Sequence, residues 1–429
     1  MIESAVNKDT LLETAQAVVG AVEPRTDSER AALNTLESSV QNEESTQESA
    51  NPQDSKAFIP RDVALSLLQA SREENLDAAT SIQVQTVPEP PGPLASSRAR
   101  HAHSATPIGD VETFTTHDIV GWSGSFVAAL ARHLRARKKF SLPPSPPKIT
   151  SIADDARVIL VGDWGTGESV AKRVAKAMRD QIAESGPRET HVIHLGDVYY
   201  AGTEWEATNR FLANWPVDPE DARRYSSWCL NGNHDMYSAG EGLFNVILED
   251  PRFDRQRTIS GVPTSQLHLA NRGWNLIGLD TACHYDEHDL MGANGQVTQD
   301  QIDWLTAATT STSKANVLLS HHQPFSRESA EGSADGLRNV GNLMDATSAI
   351  RSTRGIEAWF WGHEHKLITY APRGGIGYPV CMGHGAMPQP QTPAIDAPAN
   401  GSTARPFRML ITTRGGFQAS PSWTSTGRP

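Results

Sequence analysis

The chain has 429 residues, with 38 basic and 50 acidic side chains, and its net charge at neutral pH is −12. We expect no nucleic-acid partner, because proteins that bind nucleic acid neutralise phosphates with clustered lysine and arginine, and no basic stripe is present. Three cysteines without a CxxC pair argue against a disulfide framework. No secretory-signal pattern and no run of ~20 apolar residues is found, so we expect a cytoplasmic protein without a transmembrane segment.

Residues 1–110 are predicted to form a disordered acidic arm. The first hundred residues hold sixteen acidic and eight basic side chains and few aromatic ones. Helical patterns occur at Thr10–Val22, Ser28–Val40 and Asp62–Glu74, but isolated helices of that length are marginal in water. The composition favours disorder. The alternative is an arm that docks on a protein partner and folds there.

Residues 111–149 are predicted to connect this arm to a single domain at residues 150–429. A basic amphipathic helix is predicted between Val120 and Lys139. Such a helix binds a membrane surface or a partner, or more often packs its apolar side on the neighbouring domain. The proline-rich stretch Leu142–Lys148 is a rigid linker, which places the domain boundary near Ile149.

From Arg157 onward, predicted strands alternate with predicted helices, and the end of the chain is again rich in strands. This order predicts an α/β (α+β layered) domain whose layers contain one mixed sheet or two sheets. Five of the strands precede polar motifs, namely Val158–Val161, His191–Leu195, Ser227–Leu230, Val317–Leu319 and Ile356–Trp361.

Each of these five strands runs into Asp, Asn or His, and in open α/β sheets ligands bind outside the carboxyl ends of strands. The candidates are Asp163, Asp197, Asn233, one of His321 and His322, and the pair His363 and His365. Carboxylate, amide oxygen and imidazole together suit divalent or trivalent metal ions. Each motif alone is common in structural turns, but five of them in one order predict one site. Asp197 is the candidate for a carboxylate that bridges two metals.

Five motifs occur in the order Gly-Asp-Trp-Gly, Gly-Asp-x-x-Tyr, Gly-Asn-His-Asp, His-x-Pro and Gly-His-x-His. Together they resemble the calcineurin-like metallophosphoesterases, and most closely the small, tartrate-resistant type of purple acid phosphatase. The resemblance covers about Arg157 to Met387 and implies a four-layer α/β/β/α sandwich with mixed sheets. The chain lacks the Asp-x-His that most of the superfamily has in its first motif. Tyr200 stands three residues after Asp197, where purple acid phosphatases have a tyrosine that binds iron.

The resemblance also implies a ligand set and a pair of metals, which would be iron with a second iron, manganese or zinc. Asp163, Tyr200 and His365 would bind the first metal, and Asn233, His322 and His363 the second, with Asp197 shared. His322 is chosen over His321 because the family motif is His-x-Pro and Pro324 lies two residues on. His234 would be catalytic and would face the substrate phosphate.

The implied function is hydrolysis of a small phosphorylated substrate, most simply a phosphomonoester, by metal-activated hydroxide that attacks phosphorus in line. A phosphodiesterase or pyrophosphohydrolase on the same scaffold is the alternative enzyme, because fold does not fix substrate. The alternative of another class is a non-catalytic metal-binding scaffold with a partner-docking arm. Glu331 stands where the family has a second histidine after His-x-Pro, and Met236 stands where it has a histidine after Gly-Asn-His-Asp.

Overall fold

A computed structural model describes residues 8–24, 26–46, 62–71, 127, 130, 145–283, 294–326, 337–386, 408–410 and 418–420. The chain divides into two compact units, Met1–Arg135 and Ala136–Pro429. No helix in these ranges combines the length and apolar character needed to cross a membrane.

The first unit contains helices where we expected disorder. Helices α1 (Lys8–Ala21) and α2 (Asp27–Thr46) pack against each other. Residues 63–71 are also helical, and Asp62 begins this helix by accepting the N–H groups of Ala64 and Leu65 at 2.8 and 3.1 Å. The helical patterns in the sequence are therefore formed, and the narrow apolar stripes are buried. The physical reason is that the stripes have helices to pack on, which an isolated helix lacks.

The basic helix predicted between Val120 and Lys139 lies mostly outside the described residues. Val127 and Leu130 are helical and buried. The division into an arm, a connecting segment and a domain stays a prediction, and so does the role of the arm.

The second unit alternates strands with short helices. Its helices are α3 (Ser169–Ala183), α4 (Glu204–Glu206), α5 (Asn233–Met236), α6 (Gln299–Thr310), α7 (Leu343–Ala346) and α8 (Ser348–Thr353). Two π-helical turns, Ala207–Leu212 and Gly242–Ile247, and two 3₁₀ turns, Pro219–Asp221 and Pro251–Phe253, complete the helical parts. The strands are β1 (Ile149–Ser151), β2 (Arg157–Val161), β3 (Thr190–His194), β4 (Tyr225–Cys229), β5 (Leu267–Ala270), β6 (Trp274–Gly278), β7 (Ala315–Ser320), β8 (Phe325–Ser326), β9 (Arg338–Asn339), β10 (Ile356–Trp361), β11 (Leu367–Thr369), β12 (Ile376–Met382), β13 (Arg408–Leu410) and β14 (Gln418–Ser420).

These strands form two large sheets and two small pairs. Strands β2, β3 and β4 make a parallel three-stranded sheet in the order β2-β3-β4. A seven-stranded mixed sheet has the order β1-β5-β6-β7-β10-β12-β11, in which β5–β6 and β11–β12 are antiparallel and the other pairs parallel. Strands β8–β9 and β13–β14 form antiparallel pairs.

Three apolar cores separate four layers. The first core joins α3 and the π-helical turns to the outer face of the three-stranded sheet, with Trp164, Phe211 and Trp215 at its centre. The second lies between the two sheets and includes Trp228 and Phe360. The third joins the outer face of the seven-stranded sheet to α6, α7 and α8. The layers are therefore helix, sheet, sheet and helix, and the predicted fold class is confirmed.

Strands buried on both faces dominate both sheets, as parallel sheets require. All five residues of β3 and of β4 are buried. The loops that follow β2, β3, β4, β7 and β10 then carry polar side chains to one place, which fixes the site.

Candidate metal centre

Six of the seven predicted ligands converge where these five strands reach their carboxyl ends. Within the described ranges, two groups of side chains have ligand atoms within 4.8 Å of one another. The first group is Asp163, Asp197 and His365, and the second group is His321, His322 and His363. Five of the predicted ligands belong to these groups. Asn233 is the sixth, and its side chain contacts the second group. The side chain of Tyr200, the seventh, lies elsewhere.

The first group surrounds the hydroxyl of Tyr199. The phenol oxygen lies 2.8 Å from Asp163 Oδ1, 2.9 Å from Asp197 Oδ2 and 3.0 Å from His365 Nε2. A phenol has one proton to donate, and the two carboxylates only accept when ionised. At least one of these contacts therefore brings two acceptor atoms together, an arrangement that a cation stabilises.

Tyr200, which we predicted as the iron ligand, does not point into the first group. The centroid of its ring lies 5.0 Å from the guanidinium carbon of Arg210, and burial raises its pKa well above the ordinary value. The hydroxyl of Tyr199, the preceding residue, lies at the position expected for that of Tyr200.

Asn233 is oriented by a hydrogen bond on its amide nitrogen. Its Nδ2 donates to the hydroxyl of Tyr237 at 3.0 Å, which turns Oδ1 toward the second group. That oxygen lies 2.9 Å from His321 Nε2 and 3.0 Å from His363 Nδ1, and these two nitrogens are 3.2 Å apart.

His321, the neighbour of the predicted ligand His322, lies between Asn233 and Asp197. Its Nε2 is 3.3 Å from Asp197 Oδ1, and its Nδ1 is 3.1 Å from the carbonyl oxygen of Leu195. A carbonyl only accepts, so Nδ1 carries the proton and Nε2 presents a lone pair to the oxygen of Asn233. His321 Nε2 thus faces two other acceptor atoms, Asn233 Oδ1 and Asp197 Oδ1, at about 3 Å. Acceptor atoms that lie this close together are typical of a metal-binding site.

Strand β7 directs the two histidines to different surroundings. Val317 and Leu319 face the core between the sheets, whereas Leu318 faces the helices. His321 continues the first set and reaches the other sheet. His322 continues the second set, and its Nδ1 lies 2.9 Å from the Thr281 hydroxyl.

Asp197 divides its two oxygens between the groups, as the predicted bridging role requires. Oδ2 faces Tyr199 in the first group, and Oδ1 faces His321 in the second. Oδ1 also accepts the backbone N–H of His234 at 3.0 Å. Gly232 is required beside it, because a Cβ at that position would lie 2.2 Å from Asp197 Oδ1.

The backbone at four of these residues adopts the left-handed region. The φ angles are 54° at Asp163, 76° at Asp197, 68° at His363 and 51° at His365. Such angles are uncommon outside glycine, although Asn, Asp and His are enriched there. Strained positions cluster at functional sites, where the surrounding structure enforces them.

Burial sets the charge state of the centre. It raises the pKa of the Asp163 carboxyl to about 6 and lowers that of the His321 imidazole to about 3. It also holds the pKa of His363 well below its ordinary value. Desolvation disfavours the charged form of each group. His321 and His363 are therefore neutral at neutral pH, and neutral imidazole is the form that binds metals.

His234 stands beside the centre and is fixed by neighbouring aromatic rings. Its Nδ1 donates to the carbonyl oxygen of Tyr200 at 2.6 Å, and its ring centroid is 4.6 Å from those of Tyr199 and Tyr237. Because Nδ1 carries a proton in that bond, Nε2 is the atom that exchanges a proton or contacts a ligand.

The sequence reasoning missed two residues that the structure brings into this arrangement. Tyr199 was passed over for its neighbour, and His321 was left as a residue adjacent to a ligand. Glu331 lies outside the described residues.

Comparison with known proteins places this domain in a family. Residues 156–367 match the family described as calcineurin-like phosphoesterase. This domain is a calcineurin-like phosphoesterase. Its family depends on a dinuclear metal centre, and the two groups are the candidate ligands.

The calcineurin-like phosphoesterase domain is also similar to named relatives. Tartrate-resistant acid phosphatase type 5 of Rattus norvegicus is 26% identical over 260 residues, which are 56% of this chain and 76% of the relative. The Mus musculus protein of the same name is 25% identical over 252 residues, 54% of this chain and 73% of the relative.

Solved structures give weaker matches. A dimetal phosphatase from Danio rerio has a TM-score of 0.40 and 14% identity, over 53% of this chain and 87% of that one. GAP50, the anchor in the inner membrane complex of Plasmodium, has a TM-score of 0.43 and 13% identity, over 62% and 84%.

Proposed function

We propose that this domain is a phosphomonoesterase that uses two metal ions to hydrolyse a small phosphorylated substrate. The observation that carries the proposal is the set of acceptor atoms that face one another across about 3 Å around Asp197. The similarity to acid phosphatases supports a monoester over other phosphoesters.

The proposed ligands follow the two groups. Asp163, Tyr199 and His365 would hold the first metal, Asn233, His321 and His363 the second, and Asp197 both. Oxygen and imidazole donors without thiolate suit iron with iron, manganese or zinc. When bound, such a pair activates water and stabilises the charge that develops on the phosphoryl group.

The side chains of the domain contribute positioning and proton transfer. Asn233 and Asp197 are held by Tyr237 and by the N–H of His234, so their oxygens keep their directions. His234 is placed to contact the phosphoryl oxygens and to protonate the leaving oxygen through Nε2, because its Nδ1 is committed to Tyr200. Imidazole suits this role because it titrates near neutral pH.

The first experiment compares p-nitrophenyl phosphate with its bis ester, with metals added back to chelated protein. We expect turnover of the monoester and little of the bis ester. Faster turnover of the bis ester would favour the phosphodiesterase alternative, and absence of any turnover with two metals bound would favour the non-catalytic scaffold.

Substitution of His234 tests the assigned role within the same assay. His234→Ala should keep both metals and lose on the order of 10²–10⁴ in turnover, as is typical for a general acid. Unchanged turnover would remove His234 from the mechanism. The cytoplasmic location and a protein partner for residues 1–110 stay proposals from the sequence.

A further inference from the structure

Glu206 is a buried acid whose two carboxylate oxygens both accept N–H groups from the short loop that precedes it. Oε1 accepts the backbone N–H of Tyr200, and Oε2 accepts those of Ala201 and Thr203 at 3.0 and 3.1 Å. The side chain of Glu206 has no exposed surface. Hydrogen bonds to a carboxylate are stronger than those between neutral groups. Glu206 therefore fixes the backbone of the loop at residues 200–203.

The peptide between Tyr200 and Ala201 joins Glu206 to His234. Its N–H donates to Glu206 Oε2 at 3.0 Å, and its carbonyl oxygen accepts the Nδ1–H of His234 at 2.6 Å. This peptide is trans and planar, so its N–H and its carbonyl point in opposite directions. Glu206 and His234 therefore contact opposite ends of one rigid group. By fixing the N–H, Glu206 also fixes the direction of the carbonyl that His234 contacts.

The loop at residues 200–203 also packs closely on the backbone that follows His234. Gly202 has a φ angle of 61°, and a Cβ at this position would lie 2.5 Å from the Cα of Asp235. The carbonyl oxygen of Gly202 accepts the hydroxyl of Ser238 at 2.7 Å. A shift of the Tyr200–Ala201 peptide away from His234 would disturb these contacts as well as those with Glu206.

This connection determines which nitrogen of His234 carries the hydrogen of the neutral ring. A carbonyl only accepts, so the bond to Tyr200 requires the hydrogen on Nδ1. The peptide that donates to Glu206 is also a stronger acceptor at its carbonyl, because hydrogen bonds in a chain polarise one another. Glu206 therefore favours the tautomer in which Nε2 is the nitrogen that gains and loses a proton.

We propose that Glu206 is a positioning residue that fixes the tautomer and the orientation of His234 through the Tyr200–Ala201 peptide. The effect of Glu206 on turnover rests on the proposed function, because it requires that His234 acts on a substrate. The effect of Glu206 on the tautomer of His234 requires no substrate. The two effects are therefore measured separately.

The first test measures the tautomer by nitrogen-15 NMR of the zinc-loaded full chain, with the His234 signals assigned by their absence in His234→Gln. Burial raises the pKa of Glu206 to about 7, so a sample at about pH 8 keeps its carboxylate ionised. The hydrogen should lie on Nδ1 of His234. Glu206→Gln should move part of it to Nε2, because the amide NH₂ would face an N–H that a carboxylate oxygen accepts. Glu204→Gln, on the exposed neighbour, is the matched control and should change nothing.

The second test asks whether Glu206 and His234 act as one unit in the turnover of p-nitrophenyl phosphate. Glu206→Gln should keep two metals and lower kcat about 10- to 100-fold, the range typical for groups that orient a functional histidine. In a His234→Ala chain the same substitution should lower kcat by less than about twofold, because the effects of residues that act as a unit are not additive. Glu206→Asp keeps a carboxylate and should retain more of kcat and more hydrogen on Nδ1 than Glu206→Gln.

Three outcomes would overturn the inference. They are an unchanged tautomer of His234 in Glu206→Gln, an equal loss of kcat in the presence and absence of His234, and loss of a metal from folded Glu206→Gln. If Glu206→Gln does not fold, Glu206→Asp is taken through both tests and the same outcomes decide. Failure of the proposed function has a different signature, since unsubstituted protein would then bind fewer than two metals or leave p-nitrophenyl phosphate intact, while NMR would still report the tautomer.

Discussion

The two sheets supply chemically different halves of the centre. Loops after the three-stranded sheet carry the oxygen donors Asp163, Asp197 and Asn233, and loops after the seven-stranded sheet carry the imidazoles His321, His363 and His365. The oxygen half contains the carboxylates, and in the nitrogen half burial lowers the pKa of His321 and of His363, which keeps both neutral at neutral pH. Neither sheet has a complete set, so the centre depends on how the sheets pack through the core between them.

The largest effect is expected at the one carboxylate that contacts both halves. Asp197→Asn keeps the shape of the side chain and removes its charge, so both metals should be lost and turnover should fall by more than ~10³-fold, because metals supply several kcal/mol of transition-state stabilisation. Metal analysis after dialysis measures this. Asp163→Asn is the matched control and should lose one metal. Two metals retained in Asp197→Asn would contradict the bridging role.

A smaller effect is expected at the adjacent Tyr199 and Tyr200. It tests which of the two tyrosines belongs to the oxygen half of the centre. Iron-loaded protein should show a visible band from phenolate-to-iron charge transfer. Tyr199→Phe should abolish the band, because the Tyr199 oxygen is within 3.0 Å of three first-group atoms. Tyr200→Phe should keep it. The reverse result would restore the assignment made from the sequence.

The smallest effect concerns the outer face of the oxygen-bearing sheet. His194 ends β3 among Trp164, Phe211 and Trp215, and burial lowers its pKa to about 3. In the unfolded chain the His194 imidazole takes up a proton near pH 6.5, whereas in the folded chain it stays neutral at that pH. The contribution of His194 to the free energy of unfolding is therefore fully present above pH 6.5. As the pH falls from 6.5 toward 3, this contribution decreases by about 1.4 kcal/mol per pH unit.

Replacement of this histidine isolates the effect. Between pH 3 and 6.5, His194→Leu should reduce the slope of the unfolding free energy against pH by the amount that corresponds to one bound proton. Denaturant melts of chelated protein, with the unsubstituted chain as reference, measure the slope. An identical slope in both proteins would show that His194 is protonated in the folded state.

Much of this arrangement was predictable, and the failures have physical causes. Strand patterns and five terminal motifs predicted the layered fold and the convergence of Asp163, Asp197 and His363. The choice between His321 and His322 stays a prediction, because β7 is buried on both faces. Val317, Leu318 and Leu319 are equally apolar, so no residue shows which face meets the other sheet. The helices at Lys8–Ala21 and Asp27–Thr46 could not be distinguished from disorder by composition, because burial there depends on helices packing together.

Four left-handed residues in the centre carry a consequence for anyone who wishes to make this scaffold more heat-resistant. At each of these positions the left-handed backbone angles cost roughly 1–2 kcal/mol more than they would for a glycine. A screen for thermal stability would thus favour replacement of these residues by glycine wherever the backbone strain that is released exceeds the free energy of the hydrogen bonds that are lost. The four positions are Asp163, Asp197, His363 and His365. The variants that survive heating best would then be those least able to hold metal, and selection for robustness alone would erase the catalyst.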